Sequence, residues 1–167
     1  GGQITVSTAA GRGSSFTLYL PLTEKRPETA GRAAGTAAPA AAGGRVLIMD
    51  DEEIVYKALK RMLGALGYES EVVTDGAAVA GAWNSAKEAG RPFCLAIMDL
   101  TISGGMGGAE AVLRLKEADP SARAVVTSGY SEDPVMASCE AYGFNGMLAK
   151  PFQLEDLEKV LAEQMCR

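Results

Sequence analysis

The residues of this chain best suited to chemistry stand where apolar runs give out. Val46-Leu47-Ile48-Met49 runs into Asp50-Asp51, Phe93-Cys94-Leu95-Ala96-Ile97-Met98 into Asp99, Ala124-Val125-Val126 into Thr127-Ser128, and Met147-Leu148-Ala149 into Lys150. Three carboxylates drawn to one place repel each other, so a cation must compensate. An all-oxygen set suits a hard divalent ion, and Mg²⁺, which keeps some of its water, fits best. Lys150 adds a compact ammonium suited to a phosphate oxygen, and the hydroxyl of Ser128 or Thr127 adds a donor for another. Asp99, flanked by cation, hydroxyl and ammonium, is then the carboxylate nucleophile. The chemistry is phosphoryl transfer, in which positioning and charge neutralisation do most of the catalysis.

Each residue also has a plainer use. An Asp-Asp pair can cap a helix, Ser-Gly can be a turn, Lys-Pro can sit on the surface, and an Asp after an apolar run can simply end a strand. Any one of these uses is the better explanation of its residue taken singly. Their coincidence at four strand ends favours the joint chemical reading.

The elements that must position these groups alternate between strand and helix from Arg45 to Arg167. After the first apolar run, Ile54 to Leu66 is helical, with Leu59, Met62, Leu63 and Leu66 on one face. Glu69 to Val73 is a strand, Ala77 to Ala89 a helix, and Gly108 to Ala118 a helix that stops before Pro120. Pro134 to Tyr142 reads as a helix with proline at its start and Gly143 after its end. Leu154 to Met165 is a last amphipathic helix. Strands apolar on both faces imply a parallel sheet covered on both sides. The predicted fold is therefore α/β, a doubly wound five-stranded parallel sheet, taken in the flavodoxin-like order 2-1-3-4-5 because that order gathers the charged strand ends. In such sheets ligands bind outside the carboxyl ends of the strands, which brings Asp50, Asp51, Asp99, Thr127, Ser128 and Lys150 to one pocket.

Two further segments precede this domain. Gly1 to Leu22 has the form of a β-hairpin: Gln3 to Thr8 and Ser15 to Leu20 alternate at the strand period around the turn Gly11-Arg12-Gly13. Thr23 to Gly44 is an Ala/Gly/Pro-rich stretch with almost no large apolar residue, which reads as a flexible linker.

Composition narrows the function classes. The chain of 167 residues is 47% hydrophobic and 22% charged, enough to build a core without staples. A net charge of −5 with scattered basic residues disfavours nonspecific nucleic-acid binding. The chain has no histidine, so it contains no Ser-His or Cys-His pair, no histidine metal ligand and no phosphodonor histidine of its own. Cys94, Cys139 and Cys166 form no CxxC pair, which fits a reducing, cytoplasmic setting, with Cys94 and Cys139 as small buried apolar residues. No apolar run has membrane-span length and no signal peptide opens the chain. The chain starts without methionine, as a fragment of a longer protein would.

The motifs Val46-Leu47-Ile48-Met49-Asp50-Asp51-Glu52, Ile97-Met98-Asp99-Leu100, Thr127-Ser128-Gly129-Tyr130 and Leu148-Ala149-Lys150-Pro151-Phe152 closely resemble the receiver domain of response regulators and hybrid histidine kinases, over Arg45 to about Met165. The resemblance implies that Asp99 is the phosphoacceptor. It implies that Asp51, Asp99 and the backbone carbonyl of Thr101 ligate Mg²⁺ directly, with Asp50 acting through water. Ser128 becomes the switch hydroxyl, Lys150 the phosphoryl contact, and Lys150-Pro151 a cis peptide. Partners implied are a histidine kinase or phosphotransfer domain as donor and a downstream protein on the face of the last two helices. Two positions depart from the family pattern. Ser103, followed by Gly104-Gly105-Met106-Gly107-Gly108, stands where a proline is usual, which predicts a more flexible loop. Met147 stands where an aromatic usually swings with the switch hydroxyl.

The hairpin, through Gly1-Gly2-Gln3-Ile4-Thr5-Val6 and Gly11 to Pro21, resembles the last strands of a histidine-kinase ATPase domain. That implies a parent hybrid sensor kinase, of which this stretch has no kinase activity of its own. Three rivals fit less well. A haloacid-dehalogenase-type phosphohydrolase usually has a second acid two residues after its nucleophile, where this chain has Thr101, and its nucleophile ends the first strand. A degenerate receiver used only for binding would not need all the acids and Lys150. A flavodoxin-type flavin carrier needs a Ser/Thr-rich phosphate loop where Asp50-Asp51-Glu52 would repel phosphate. No DNA-binding module is expected after the final helix.

Overall fold

The computed structural model describes residues 2–21, 44–129 and 134–165. Thr23 to Gly43, Tyr130 and Cys166, on which the linker and part of one motif were predicted, lie outside the described residues. The chain divides into two units, one within Gly1–Thr36 and one within Ala37–Arg167.

In the first unit β1 (Gln3–Ala9) pairs antiparallel with β2 (Gly13–Tyr19). The turn closes by Arg12 N donating to Ala9 O at 3.0 Å. The register sets Ile4 opposite Leu18 and Val6 opposite Phe16, so the strand period gathers these four on one face. All four are exposed.

In the second unit five strands form one parallel sheet in the order β4-β3-β5-β6-β7. They are β3 (Arg45–Met49), β4 (Glu69–Val73), β5 (Phe93–Asp99), β6 (Ala124–Ser128) and β7 (Gly146–Ala149). Numbered within this unit, that is the predicted order 2-1-3-4-5. The helices are α1 (Glu53–Ala65), α2 (Val79–Glu88), α3 (Gly108–Ala118), α4 (Pro134–Ala137) and α5 (Leu154–Met165).

Alternation along the strands divides the core in two. Leu47, Met49, Ala96, Met98, Ala124 and Val126 face one side, against Val79 and Trp83 of α2 and Ala111, Val112 and Leu115 of α3. Val46, Ile48, Leu95, Ile97, Val125 and Leu148 face the other, against Leu59 and Leu63 of α1 and Leu157 and Leu161 of α5. Both faces of β3, β5 and β6 are thus covered, which is why these strands read as unbroken apolar runs.

Three local predictions need adjustment. The helix expected over Ala77 to Ala89 starts as a 3₁₀ turn, Gly76–Ala78, whose Ala77 N–H is capped by the Asp75 side chain, and α2 follows. The helix expected over Pro134 to Tyr142 is one α turn that breaks at Ser138 (φ −144°), followed by a 3₁₀ turn, Cys139–Tyr142. Val135, Ser138, Cys139 and Tyr142 are middling helix formers, and so short a segment nucleates poorly. Cys94 and Cys139 are half-buried rather than core residues, and the Cys94 thiol donates to Arg45 O at 3.0 Å. Burial raises the Cys94 pKa.

Asp119, at the end of α3, ties that helix to α2. Its carboxylate accepts from Ser121 Oγ (2.6 Å), Lys87 Nζ (2.9 Å) and Trp83 Nε1 (3.2 Å). The Ser121 hydroxyl first, then Lys87 and Trp83, hold this carboxyl well below the usual range. A group with a depressed folded-state pKa adds stability above its unfolded value, about 3.9, and loses it as pH falls through the folded value. Asp119→Ala is therefore expected to cost about 1–3 kcal/mol at neutral pH, with Trp83 Nε1 left buried and unpaired. The deficit relative to wild type should shrink in acid, and denaturant titrations at several pH values read it.

Candidate functional site

The site is built by neighbouring strands ending at one level. Because β3 lies beside β5, the residues that follow their apolar runs, Asp50 and Asp99, are neighbours. Because β6 lies on the other side of β5, Thr127 is in register with Asp99. Lys150 comes from the edge strand β7, and its long side chain reaches back across β6. Its Nζ lies 2.9 Å from Asp50 Oδ2 and 3.1 Å from Asp99 Oδ2, with exposed Glu52 at 3.9 Å. The Lys150 backbone is set by a hydrogen bond from its N–H to Ser128 O (2.8 Å) and by the cis Lys150-Pro151 peptide.

Asp50 and Asp99 are buried, with side chains 1% and 8% exposed, and the Lys150 side chain is 15% exposed. Burial pushes the Asp99 carboxyl above its ordinary pKa; Lys150 pulls it down, and the charge of Asp50 adds to the rise. For Lys150, burial alone would lower the pKa. The hydrogen bond to Asp50 and the charges of Asp99 and Asp50 more than offset this, so its ammonium is held charged.

Oxygen atoms of Asp50, Asp51 and Asp99 lie within 4.8 Å of one another. Such a cluster, all carboxylate oxygen and partly open at Asp51, fits a small hard cation, and it is a site for Mg²⁺. The remaining valences of the acids are oriented by backbone: Glu52 N donates to Asp50 Oδ1 (2.8 Å), and Ser103 N donates to Asp51 Oδ2 (3.0 Å). The Asp-Asp pair does not cap α1, whose N-cap is Glu52 with no side-chain bond.

Sequence reasoning brought Asp50, Asp51, Asp99, Ser128 and Lys150 together, and the structure places all of them at this edge. Thr101 is exposed in the loop just after Asp99. Ser128 is buried, as is Thr127, whose hydroxyl has no partner among the described residues. Met147 lies on β7, and is 51% exposed on the face opposite buried Leu148.

The glycine-rich loop follows directly on Asp99 and Leu100. Its glycines serve close approach: a Cβ at Gly108 would lie 2.7 Å from Asp99 O, and one at Gly107 would overlap Leu100 O. The loop base is closed by Gly108 N donating to Leu100 O at 3.1 Å. Only glycine lets the chain double back this tightly onto the end of β5. The Ser103 amide and the Asp75-Gly76 corner leave no trace in the sequence, because a backbone donor and a lone Asp-Gly carry no signal beyond "turn".

This fold and this acidic edge define a phosphoacceptor domain of two-component signalling. Residues 46–162 match the family model described as the response regulator receiver domain, and the chain belongs to that family. It is 28% identical to the sensor kinase CckA of Brucella abortus over 172 residues, covering 99% of this chain and 18% of that protein. It is 30% identical to the photosynthetic apparatus regulatory protein RegA of Rhodovulum sulfidophilum, covering 70% of this chain and 60% of that one. The chain thus spans less than a fifth of the sensor kinase's length and just over half of the regulator's. Among solved structures it resembles the receiver domain of a sensor histidine kinase from Pseudomonas aeruginosa, crystallised with magnesium in its active-site cleft, with a TM-score of 0.64 and 22% identity over 75% of this chain and 100% of that one.

The raised Asp99 pKa has a sign that can be checked. A carboxyl whose folded-state pKa is raised favours folding only where it is protonated, and opposes it as pH rises through the folded value. In chelator, Asp99→Asn should therefore raise the thermal midpoint at neutral pH, with the gain vanishing below the ordinary carboxylate range near about 3.9. Adding Mg²⁺ should stabilise wild type, by about 2.7 kcal/mol at a hundredfold excess over Kd, and the variant much less. Thermal melts with and without chelator across pH measure both effects.

Proposed function

We propose that this chain is the receiver of a hybrid sensor histidine kinase, taking a phosphoryl group from a phosphohistidine onto Asp99. The observation that carries the reading is Lys150 Nζ seated between Asp50 and Asp99 beside a three-carboxylate cluster. A lysine alone would neutralise one acid; the rest of the charge asks for a metal. In the transfer an Asp99 carboxylate oxygen attacks the phosphorus of the donor, the P–N bond breaks, and an acyl phosphate forms. Asp51, Asp99 and the Thr101 carbonyl would hold Mg²⁺, with Asp50 assisting through water, and the ion when bound would supply charge neutralisation for the phosphoryl oxygens. Lys150 pairs with one phosphoryl oxygen, and the Ser128 hydroxyl donates to another. Thr127 is the structural neighbour rather than the switch.

The hybrid context is supported by the CckA alignment, which runs through the hairpin as well as the receiver. In that reading residues 1–22 close an upstream ATPase domain, whose body covers the exposed Ile4, Val6, Phe16 and Leu18, and residues 23–44 link it to the receiver at 45–167. The hairpin has no nucleotide site of its own. The setting is cytoplasmic, and among the described residues no helix is long and apolar enough to cross a membrane.

The phosphoryl group adds charge that draws on Ser128 and biases the face of α4, β7 and α5. A groove of about 940 Å³ runs there between the Cys139–Tyr142 turn, Met147 and Lys159, and a downstream protein reads it. Met147 replaces the usual aromatic, so the signal travels through backbone shifts at Ser128 and Lys150.

Labelling with a small phosphodonor and Mg²⁺ tests the assignment. Asp99→Asn should abolish the label, Ser128→Ala should slow its formation, and Thr127→Val should leave it within about twofold while raising stability, since an unpaired buried hydroxyl is removed. Equal labelling of the Asp99 variant would sink the proposal.

A further inference from the structure

The loop that follows Asp99 has two handles. Its base is closed by Gly108 N to Leu100 O, and its far end is gripped at Met106 by the corner after β4. There Gly76 N donates to Met106 O at 3.0 Å, and Met106 N approaches Asp75 Oδ1 at 3.4 Å. The same Asp75 oxygen accepts from Ala77 N at 2.7 Å, which fixes the carboxylate in place before α2 begins. The fit leaves no spare room. A Cβ on Gly105 would lie 2.5 Å from Asp75 Oδ2, and one on Gly76 would lie 2.5 Å from Met106 O. Between these handles the loop carries Thr101 and the Ser103 amide, which donates to Asp51 at 3.0 Å.

We propose that Asp75 is a positioning residue for the metal site, acting through Met106 to hold the Thr101–Gly107 loop at the height where Ser103 N–H orients Asp51. The physical reason is the loop's composition. Glycine-rich backbone has many alternative paths, and each bond that selects one of them removes conformational freedom before the ion arrives. Family proteins with proline at the Ser103 position restrict the loop locally; here the restraint comes from across the sheet edge, from the end of β4. A role limited to capping the Gly76–Ala78 turn would need only the Ala77 bond, and would not require Gly105 to lie against the carboxylate.

This inference rests on the acidic cluster being a Mg²⁺ site, and the experiment separates the two. Calorimetric titration of the full chain with MgCl₂ gives Kd, and thermal melts in chelator give stability without the ion. Asp75→Ala should weaken Mg²⁺ by about tenfold, as loss of an outer orienting partner commonly does. Asp75→Asn, which keeps the accepting oxygen, should stay near wild type, and the Ser103 amide should exchange faster in the alanine variant alone. A lowered melting midpoint with unchanged Kd would show a cap and overturn the proposal. Should Asp75→Ala not fold, Gly105→Ala serves: its methyl displaces the carboxylate, so weaker Mg²⁺ binding supports the latch and a wild-type Kd overturns it. A wild-type chain that binds no Mg²⁺ would overturn the reading of the cluster itself.

Discussion

Three carboxylates held within 4.8 Å of one another, two of them buried, are the constraint on which the rest of this receiver depends. Like charges so close in a poorly solvated place oppose folding. Lys150 is the counter-charge the fold provides, and its placement is costly in architecture. It must come from the edge strand, pass over β6 and reach Asp50 and Asp99 together. That requires β7 to pair in parallel with β6, the backbone to be pinned by Lys150 N to Ser128 O, and the chain to turn away at once through a cis proline. The sheet order brings the acids together, and the lysine makes their burial tolerable.

The apolar layers serve the same end. Alternating side chains of β3, β5 and β6 are buried on both faces, so these strands cannot slip by one residue without turning a whole layer of core side chains to the wrong helices. Register fixed by the core is what aligns Asp99 with Thr127 and sets Asp50 beside them. The chemistry therefore sits on rigid elements and only its lid is a loop. That loop, rich in glycine, is folded back on the end of β5 and held at both ends by backbone bonds.

Much of this was legible in the sequence because buried parallel strands write themselves as continuous apolar runs, and a charged residue ending such a run is conspicuous. Asp50, Asp51, Asp99 and Lys150 could be found that way; the alternation of strands and helices implied a parallel sheet, and the order was the one that gathers those residues. Other features left no comparable trace. The glycines at 105, 107 and 108 look like flexibility, yet in space they are places where backbone meets backbone or a carboxylate. Asp75-Gly76 is an ordinary turn pair until Met106 is seen against it. The break at Ser138 is a matter of weak local propensity that tertiary packing did not overrule, and short segments of middling helix formers do not announce their ends.

Formal charge explains why such a site can act as a switch. Counted formally, three carboxylates and Lys150 leave two negative charges, which one divalent ion would bring to neutrality. An acyl phosphate carries about −2 where the carboxylate carried −1, so phosphorylation with the ion in place restores a single uncompensated negative charge. In the proposed reading the added charge sits on phosphoryl oxygens paired with Ser128 and Lys150. Lys150 already divides its ammonium between Asp50 and Asp99, and a third acceptor must draw it away from one of them. Because Lys150 N and Ser128 O are joined by a hydrogen bond at the ends of β7 and β6, a shift of either residue is felt by the other. That backbone link joins the end of β6 to the end of β7, the strand on which Met147 is exposed in place of an aromatic.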